Sequence, residues 1–271
     1  MQKRIKVACE TYVWEMLGPD WRGTPEQLMD YVAEAGYEGI EYTTTMLGRF
    51  LDHPKEFARE LSTRNLTFCC LAFGTASGFT DPSARGADRE AAQRAIAFLT
   101  HFPDAQLEPG TANHPEPQRD WQRKLDHAIS FYNELAQLSA RSNITVCVHP
   151  NSGDQSLLKT AEQYRYLMQR LDPAVRYCPD SGHIVRGGQD LLACFREHAG
   201  RISHVHFKDV DAHGNWKLTG EGICDFAAVM QLLERHQYDG WIVLEDESDE
   251  ARRDGRMAIR QGRNYFKKLG Y

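Results

Sequence analysis

The chain has 271 residues, 41% of them hydrophobic and 26% charged, and a formal net charge of −6. That length holds a full core in one large domain or two small ones, and the composition is that of a soluble globular protein. The acidic balance and the lack of a Lys/Arg-rich block exclude a nucleic-acid binder, and no apolar run is long enough to span a bilayer.

The opening "MQKRIKVACE" passes straight into a strand-like run at 5–11 without the apolar h-region of a signal peptide, so a cytoplasmic location is the expectation. Trp14 follows that run, where an indole can wall a sugar face. At 24–36, Thr24 is the predicted N-cap, Pro25 the first helical residue, Gln27 the partner in a capping box and Gly36 the stop. The next strand, 39–45, carries Glu41, a candidate for hydrogen bonds to substrate hydroxyls, and a helix is expected over 53–64. Strand 66–74 leads into a long loop across 73–90 and a helix at 87–102; strand 105–111 leads to a helix at 119–142. Strand 144–150 ends with His149 and Asn151 on one face, before a helix at 157–171. Strand 175–182 ends in Asp180, with His183 just beyond, before a helix at 189–200. In strand 202–210, His204, His206 and Lys208 alternate and so share a face. Asp225 is the predicted N-cap of the helix at 226–237. The last strand, 240–248, brings Glu245 and Glu247, and a helix over 249–269 completes the series.

Eight strands alternating with eight helices predict parallel pairing through helical crossovers. Closing the sheet as a (β/α)₈ TIM barrel, a single domain over 1–271, removes every edge strand and suits the usual size of about 250 residues. The open doubly wound alternative calls for a Gly-rich phosphate turn after the first strand, and "ACETYVWEMLGPDW" has none. The seven cysteines are odd in number, lack a C-x-x-C and lie mostly in apolar runs, which predicts buried free thiols.

Active sites of such barrels lie at the C-terminal ends of the strands. Four consecutive strands place His149, Asp180, His206 and Glu245 there at matching height. Two imidazoles and two carboxylates suit a divalent transition metal better than Ca²⁺, with Mn²⁺ first and Co²⁺, Fe²⁺, Zn²⁺ or Mg²⁺ as alternatives. His204, one pleat deeper, is expected to support His206 by a hydrogen bond.

"PDSGHIVRGGQD", "HVHFKDV" and "LTGEGICDF" carry the motifs D-x-x-H, H-x-H-x-K-D and G-x-G-x-x-D-F. With them the whole chain resembles the xylose-isomerase-like sugar isomerase/epimerase superfamily of metal-dependent barrels, nearest to its inosose (2-keto-myo-inositol) dehydratase family. For ketose epimerases the resemblance implies a metal held by Glu, Asp, His and Glu, the two glutamates also being the acid/base pair. Asp180, His206 and Glu245 match that set, and His183 matches a histidine on substrate oxygens. His149 replaces the first glutamate, as in the dehydratase-type strand. It also implies homo-oligomers, dimers or tetramers.

The expectation is therefore a metal-dependent lyase acting on a keto-polyol or keto-sugar. Glu245 or a base near it removes the proton α to the carbonyl, an acid such as His183 or a metal-bound water protonates the leaving hydroxide, and Lys208 stabilises oxyanion charge or pairs with Asp209 or another carboxylate. Asn151, Glu41, Trp14 and His183 are the expected substrate contacts. Isomerisation or epimerisation of a ketose, β-elimination of a 3-keto-glycoside, and a catalytically silent sugar- or metal-binding protein remain as alternatives.

Overall fold

The computed structural model describes residues 5–271. The first four residues of "MQKRIKVACE", part of the stretch read as lacking an h-region, lie outside the described residues. Eight parallel strands make the barrel: β1 (Lys6–Glu10), β2 (Gly39–Thr43), β3 (Thr67–Phe73), β4 (Gln106–Pro109), β5 (Cys147–Val148), β6 (Arg176–Tyr177), β7 (His204–Phe207) and, last in the chain, β10 (Trp241–Leu244). Between the last two, β8 (Asp209–Val210) and β9 (Trp216–Lys217) form a small antiparallel hairpin.

Six strands pair continuously in the order β4-β3-β2-β1-β10-β7, and β5 pairs with β6. Single backbone bridges close the ring, Leu107 to Val146 on one side and Tyr177 to Ile202 and Asp180 to His206 on the other. The β5 and β6 ladders are short because Pro150 and Pro179 follow them and cannot donate a ladder hydrogen bond. The Pro179 carbonyl still accepts from the His206 amide at 2.9 Å, which holds the end of β6 against β7.

Local signals explain the helices around the ring. The Thr24–Gln27 capping box forms in both directions, at 2.9 and 3.4 Å, and Gly36 ends that helix with φ at +85°, which a side chain rarely adopts. Asp225 accepts from the Ala228 amide at 2.9 Å, as its N-cap position requires. The expected helix over 249–269 divides at Asp254 into Asp249–Arg253 and Gly255–Leu269. Asp254 is extended, with φ −151°, and accepts from the Met257 amide at 3.0 Å, so it caps a new helix. Three short helices were not anticipated: Tyr12–Glu15, Thr44–Leu47 and Ser181–Arg186. They follow β1, β2 and β6, at the catalytic end of the barrel.

Helices pack on the sheet through apolar stripes. Phe57 is fully buried and meets Phe68, Phe98 and Phe102 at ring-centroid distances of 5.2 to 5.6 Å. Burying one such ring contributes about 1.5–3 kcal/mol, so this cluster is a main anchor of the first half of the barrel. Among the described residues no helix is long and apolar enough to cross a membrane.

Candidate metal centre

Alternation along each strand sends every second side chain into the barrel. Ligand atoms of His149, Asp180, His206 and Glu245 all lie within 4.8 Å of one another, three of these residues being buried. His149 Nε2 is 3.5 Å from Asp180 Oδ2, and His206 Nδ1 is 3.1 Å from Glu245 Oε2. The structure therefore brings together the four residues read from the strand ends.

The donor set fits a divalent cation. His149 Nε2 and Asp180 Oδ2 are buried atoms with no hydrogen-bond partner among the described residues, and they face each other. Glu10, Glu41 and Glu108 are also buried around His206, at 3.5, 3.2 and 3.9 Å. Five carboxylates with few cations are costly to bury unless positive charge offsets them. Imidazole nitrogen and carboxylate oxygen together select a first-row transition ion or Zn²⁺.

Glu41 corrects one expectation. It is completely buried and does not line the cavity at the mouth. Its Oε2 lies 2.6 Å from His204 Nε2 and 3.2 Å from His206 Nε2. Burial opposes the charge on Glu41, but His206 and His204 outweigh it and hold the carboxyl at about 2. An ionised carboxylate only accepts hydrogen bonds. Burial opposes the charge on His206, but Cys178, Glu41 and Glu108 outweigh it and push the imidazole well up, so that it donates from Nε2 to Glu41 and from Nδ1 to Glu245; a bound cation would take the place of the Nδ1 proton. His204 supports His206 through Glu41 rather than directly.

Trp14 is the second correction. Its ring is buried against Trp21 and Tyr31, at 6.1 and 5.8 Å, outside the cavity. The helix Tyr12–Glu15, unrecognised in the sequence, turns that side chain away from the mouth. Trp216 of β9 takes the wall position instead. Gly182 permits this, since a Cβ there would meet the indole at 2.6 Å and Lys208 Cβ at 2.7 Å.

The mouth cavity has a volume of about 500 Å³ and is lined by Glu10, Asn151, His149, His183, Lys208, Glu245 and Glu247 among others. A larger groove of about 850 Å³, between residues 219–221 and one face of the C-terminal helix, has no converging ligand set, so the chemistry belongs to the mouth. Lys208 Nζ is buried and lies 2.5 Å from Glu245 Oε1, 2.5 Å from Glu247 Oε1 and 3.1 Å from His183 Nε2. Burial works against its charge, but Glu245 and Glu247 keep the ammonium well above its ordinary range. Asp209 is not its partner: that carboxylate accepts from the amides of Gly220, Gly222 and Cys224 at 2.9, 2.9 and 3.1 Å.

Burial and then Lys208 push His183 well down, so its imidazole is neutral. Its Nδ1 meets Ser152 Oγ at 2.9 Å. Asp180 accepts from the His183 amide at 2.8 Å, capping the helix Ser181–Arg186. Burial opposes the charge of Glu245, but Lys208 outweighs it and holds the carboxyl well down. Glu10 is pushed well up, by burial first and by Glu245 second. Asn151 reaches the cavity and accepts from the Gly153 amide at 3.1 Å.

Glu10, Glu108, Trp216 and Arg186 are site residues that the sequence reading missed. Glu10 and Glu108 were visible as single acids near the ends of apolar runs, in "VACET" and "AQLEPG". Trp216 had no such signal, because its place depends on the hairpin.

The chain matches the xylose isomerase-like TIM barrel family over residues 29–269 and belongs to it. Among curated relatives, inosose dehydratase of Geobacillus thermodenitrificans is 31% identical over 149 residues, 48% of this chain and 49% of that protein. Inosose dehydratase of Bacillus licheniformis is 25% identical over 262 residues, covering 83% and 82%. The chain thus spans about half the length of the first relative and most of the second. Among solved structures, the IOLI protein with a bound zinc atom superposes with a TM-score of 0.81 at 14% identity, covering 97% of each chain, which is a likeness of fold.

Proposed function

We propose that the protein is a metal-dependent carbon–oxygen lyase of the inosose dehydratase type, removing water from a keto-polyol or keto-sugar. The observation that carries this reading is buried Lys208, held by two carboxylates at 2.5 Å and touching His183 in the cavity wall. Elimination needs a base for the α-proton and an acid for the departing hydroxyl, whereas epimerisation needs two bases. Lys208 supplies an acid where two bases alone give none. The relatives named inosose dehydratase support the same reaction class.

His149, Asp180, His206 and Glu245 would hold the cation, for which Mn²⁺ is our first choice. When bound, such an ion supplies Lewis acidity to a carbonyl oxygen. Glu10 is the better base, because Glu245 has one oxygen on Lys208 and the other on His206. In this scheme Glu10 takes the α-proton, the C–H pair becomes the new C=C bond, and the β C–O bond breaks. Lys208, with His183 beside it, gives the proton that lets the hydroxyl leave as water. Asn151 and Trp216 orient the polyol, and the cytoplasm is the compartment we expect.

One observation favours epimerisation or isomerisation as a second reading. Glu10 and Glu245 place two carboxylates at 3.5 and 3.1 Å from the same His206 nitrogen, close to a two-base arrangement. The test is turnover by the Mn²⁺-reconstituted protein on a panel of keto-inositol, free ketoses and a 3-keto-glycoside. Water loss from the keto-inositol, seen as a new enolic ultraviolet band, is expected. A changed sugar of equal mass, with no such band, sinks the lyase reading and supports the second.

A further inference from the structure

Arg186 lines the mouth cavity and ends the short helix Ser181–Arg186. Its guanidinium lies over the Trp216 ring, 4.5 Å from the centroid. That indole is itself fixed. It packs edge-on against His183 at 5.1 Å, has Lys208 Nζ 5.3 Å from its centroid, and sits over Gly182. The hairpin that bears it is anchored by Asp209, which gathers the amides of Gly220, Gly222 and Cys224. The G-x-G-x-x-D-F motif thus shapes the loop that follows Trp216.

Unlike Lys208, Arg186 pairs with no carboxylate among the described residues, and its guanidinium meets the face of Trp216. A guanidinium held over an aromatic face has its N–H donors left for a further partner. It is therefore an exposed positive group over the indole, one ring away from Lys208 and His183, with no carboxylate on its fork.

We propose that Arg186 binds a carboxylate on the substrate, so that among keto-polyols the site prefers an acidic one, with its carboxylate at the Trp216 side and its carbonyl at the His149–Glu245 cluster. This inference rests on the lyase reading only for where the substrate lies. One planar fork matches one carboxylate in a bidentate pair. A phosphate dianion calls for more positive charge than this rim offers, since Lys208 is already neutralised by Glu245 and Glu247.

The test is calorimetric titration of the Mn²⁺-reconstituted full chain with D-gluconate and with D-glucitol, which differ only in a carboxylate against a hydroxymethyl group. Gluconate should bind about 10- to 100-fold more tightly. Arg186→Met should erase that preference, and Arg186→Lys, which keeps the charge but loses the fork, should restore part of it. Equal affinities, or no binding of either compound, overturn the proposal. So does a preference that survives Arg186→Met, since the carboxylate then sits on the metal. Tighter, Arg186-dependent binding of D-glucitol 6-phosphate would instead assign the group to phosphates. Binding is read without turnover. A chain that selects gluconate through Arg186 yet dehydrates nothing defeats the lyase reading and leaves this one standing.

Discussion

The charged layer at the barrel mouth and the thiol layer two residues beneath it come from the same strands by the same alternation. Cys147 precedes His149, Cys178 precedes Asp180, Ala8 precedes Glu10 and Val243 precedes Glu245. The lower residues form one cluster with Cys69, Cys70 and Trp241. Burial does not distinguish the layers, because Cys178 and Asp180 are both 0% exposed. Partners do. Burial drives the thiols of Cys70, Cys147 and Cys178 up, which leaves a neutral floor on those strands; His204, two residues before His206, is the polar exception and is paired with Glu41 at 2.6 Å. Asp180 instead meets a helix amide at 2.8 Å, His149 at 3.5 Å and Lys208 at 3.9 Å, and it stays ionised. A neutral floor strengthens every electrostatic interaction above it. The contrast is between a layer that packs and a layer whose surplus negative charge is completed by a cation.

The strongest way to break that contrast is to remove charge from the upper layer. Asp180→Asn keeps an oxygen for the His183 amide, so the helix cap and the fold should survive. Metal content should fall to background and turnover by at least about 10³-fold. Full activity with full metal content in this variant would falsify the ligand assignment. Glu10→Gln should cost about 10²–10⁴-fold in kcat with metal content unchanged, because it removes a base and no ligand. Parallel loss of metal would move Glu10 into the ligand set.

Much of this was legible in the sequence, for reasons that differ by element. The barrel followed from repeated strand–helix units, and the four ligands from acids and histidines at one height on neighbouring strands. Alternation also placed His204 below His206. Trp14 and Glu41 were misplaced for two distinct reasons. Trp14 lies in a one-turn helix whose four residues give too little periodicity to read. Glu41 sits near the end of β2 like its counterparts, but the pairing register shifts between Ile40 and Glu41, and two histidines of β7 hold it from across the barrel. Such contacts span 163 and 165 residues of chain, beyond any local pattern. Trp216 and Arg186 belong to the same category, since a hairpin and a six-residue helix bring them together.

Smaller effects sharpen the comparison from beneath. His204→Ala removes a donor to Glu41 and loosens the carboxylate that orients His206. Metal affinity should drop about 10- to 100-fold, read by competition with a chelator, while the metal-saturated protein keeps most of its kcat. An unchanged affinity would mean that His206 alone fixes Glu41.

Cys147→Ala should have the least effect on chemistry. It removes one buried sulfur from the floor and costs about 1 kcal/mol, a fall in Tm of roughly 2–4 °C. Cys147→Ser should cost more than alanine, because its hydroxyl needs a partner the thiol does without. Neither should alter metal content or activity per folded molecule if the lower layer only packs. The informative exception concerns Glu108, whose carboxylate is within 4.8 Å of the sulfurs of Cys70 and Cys147 as well as 3.4 Å from His149. If wild-type protein holds a second equivalent of Zn²⁺ and Cys147→Ala releases only that one, then Glu108 joins the two layers and the floor is a site as well. Identical stoichiometry in both proteins keeps the division where burial and partners place it, between sulfur below and charge above.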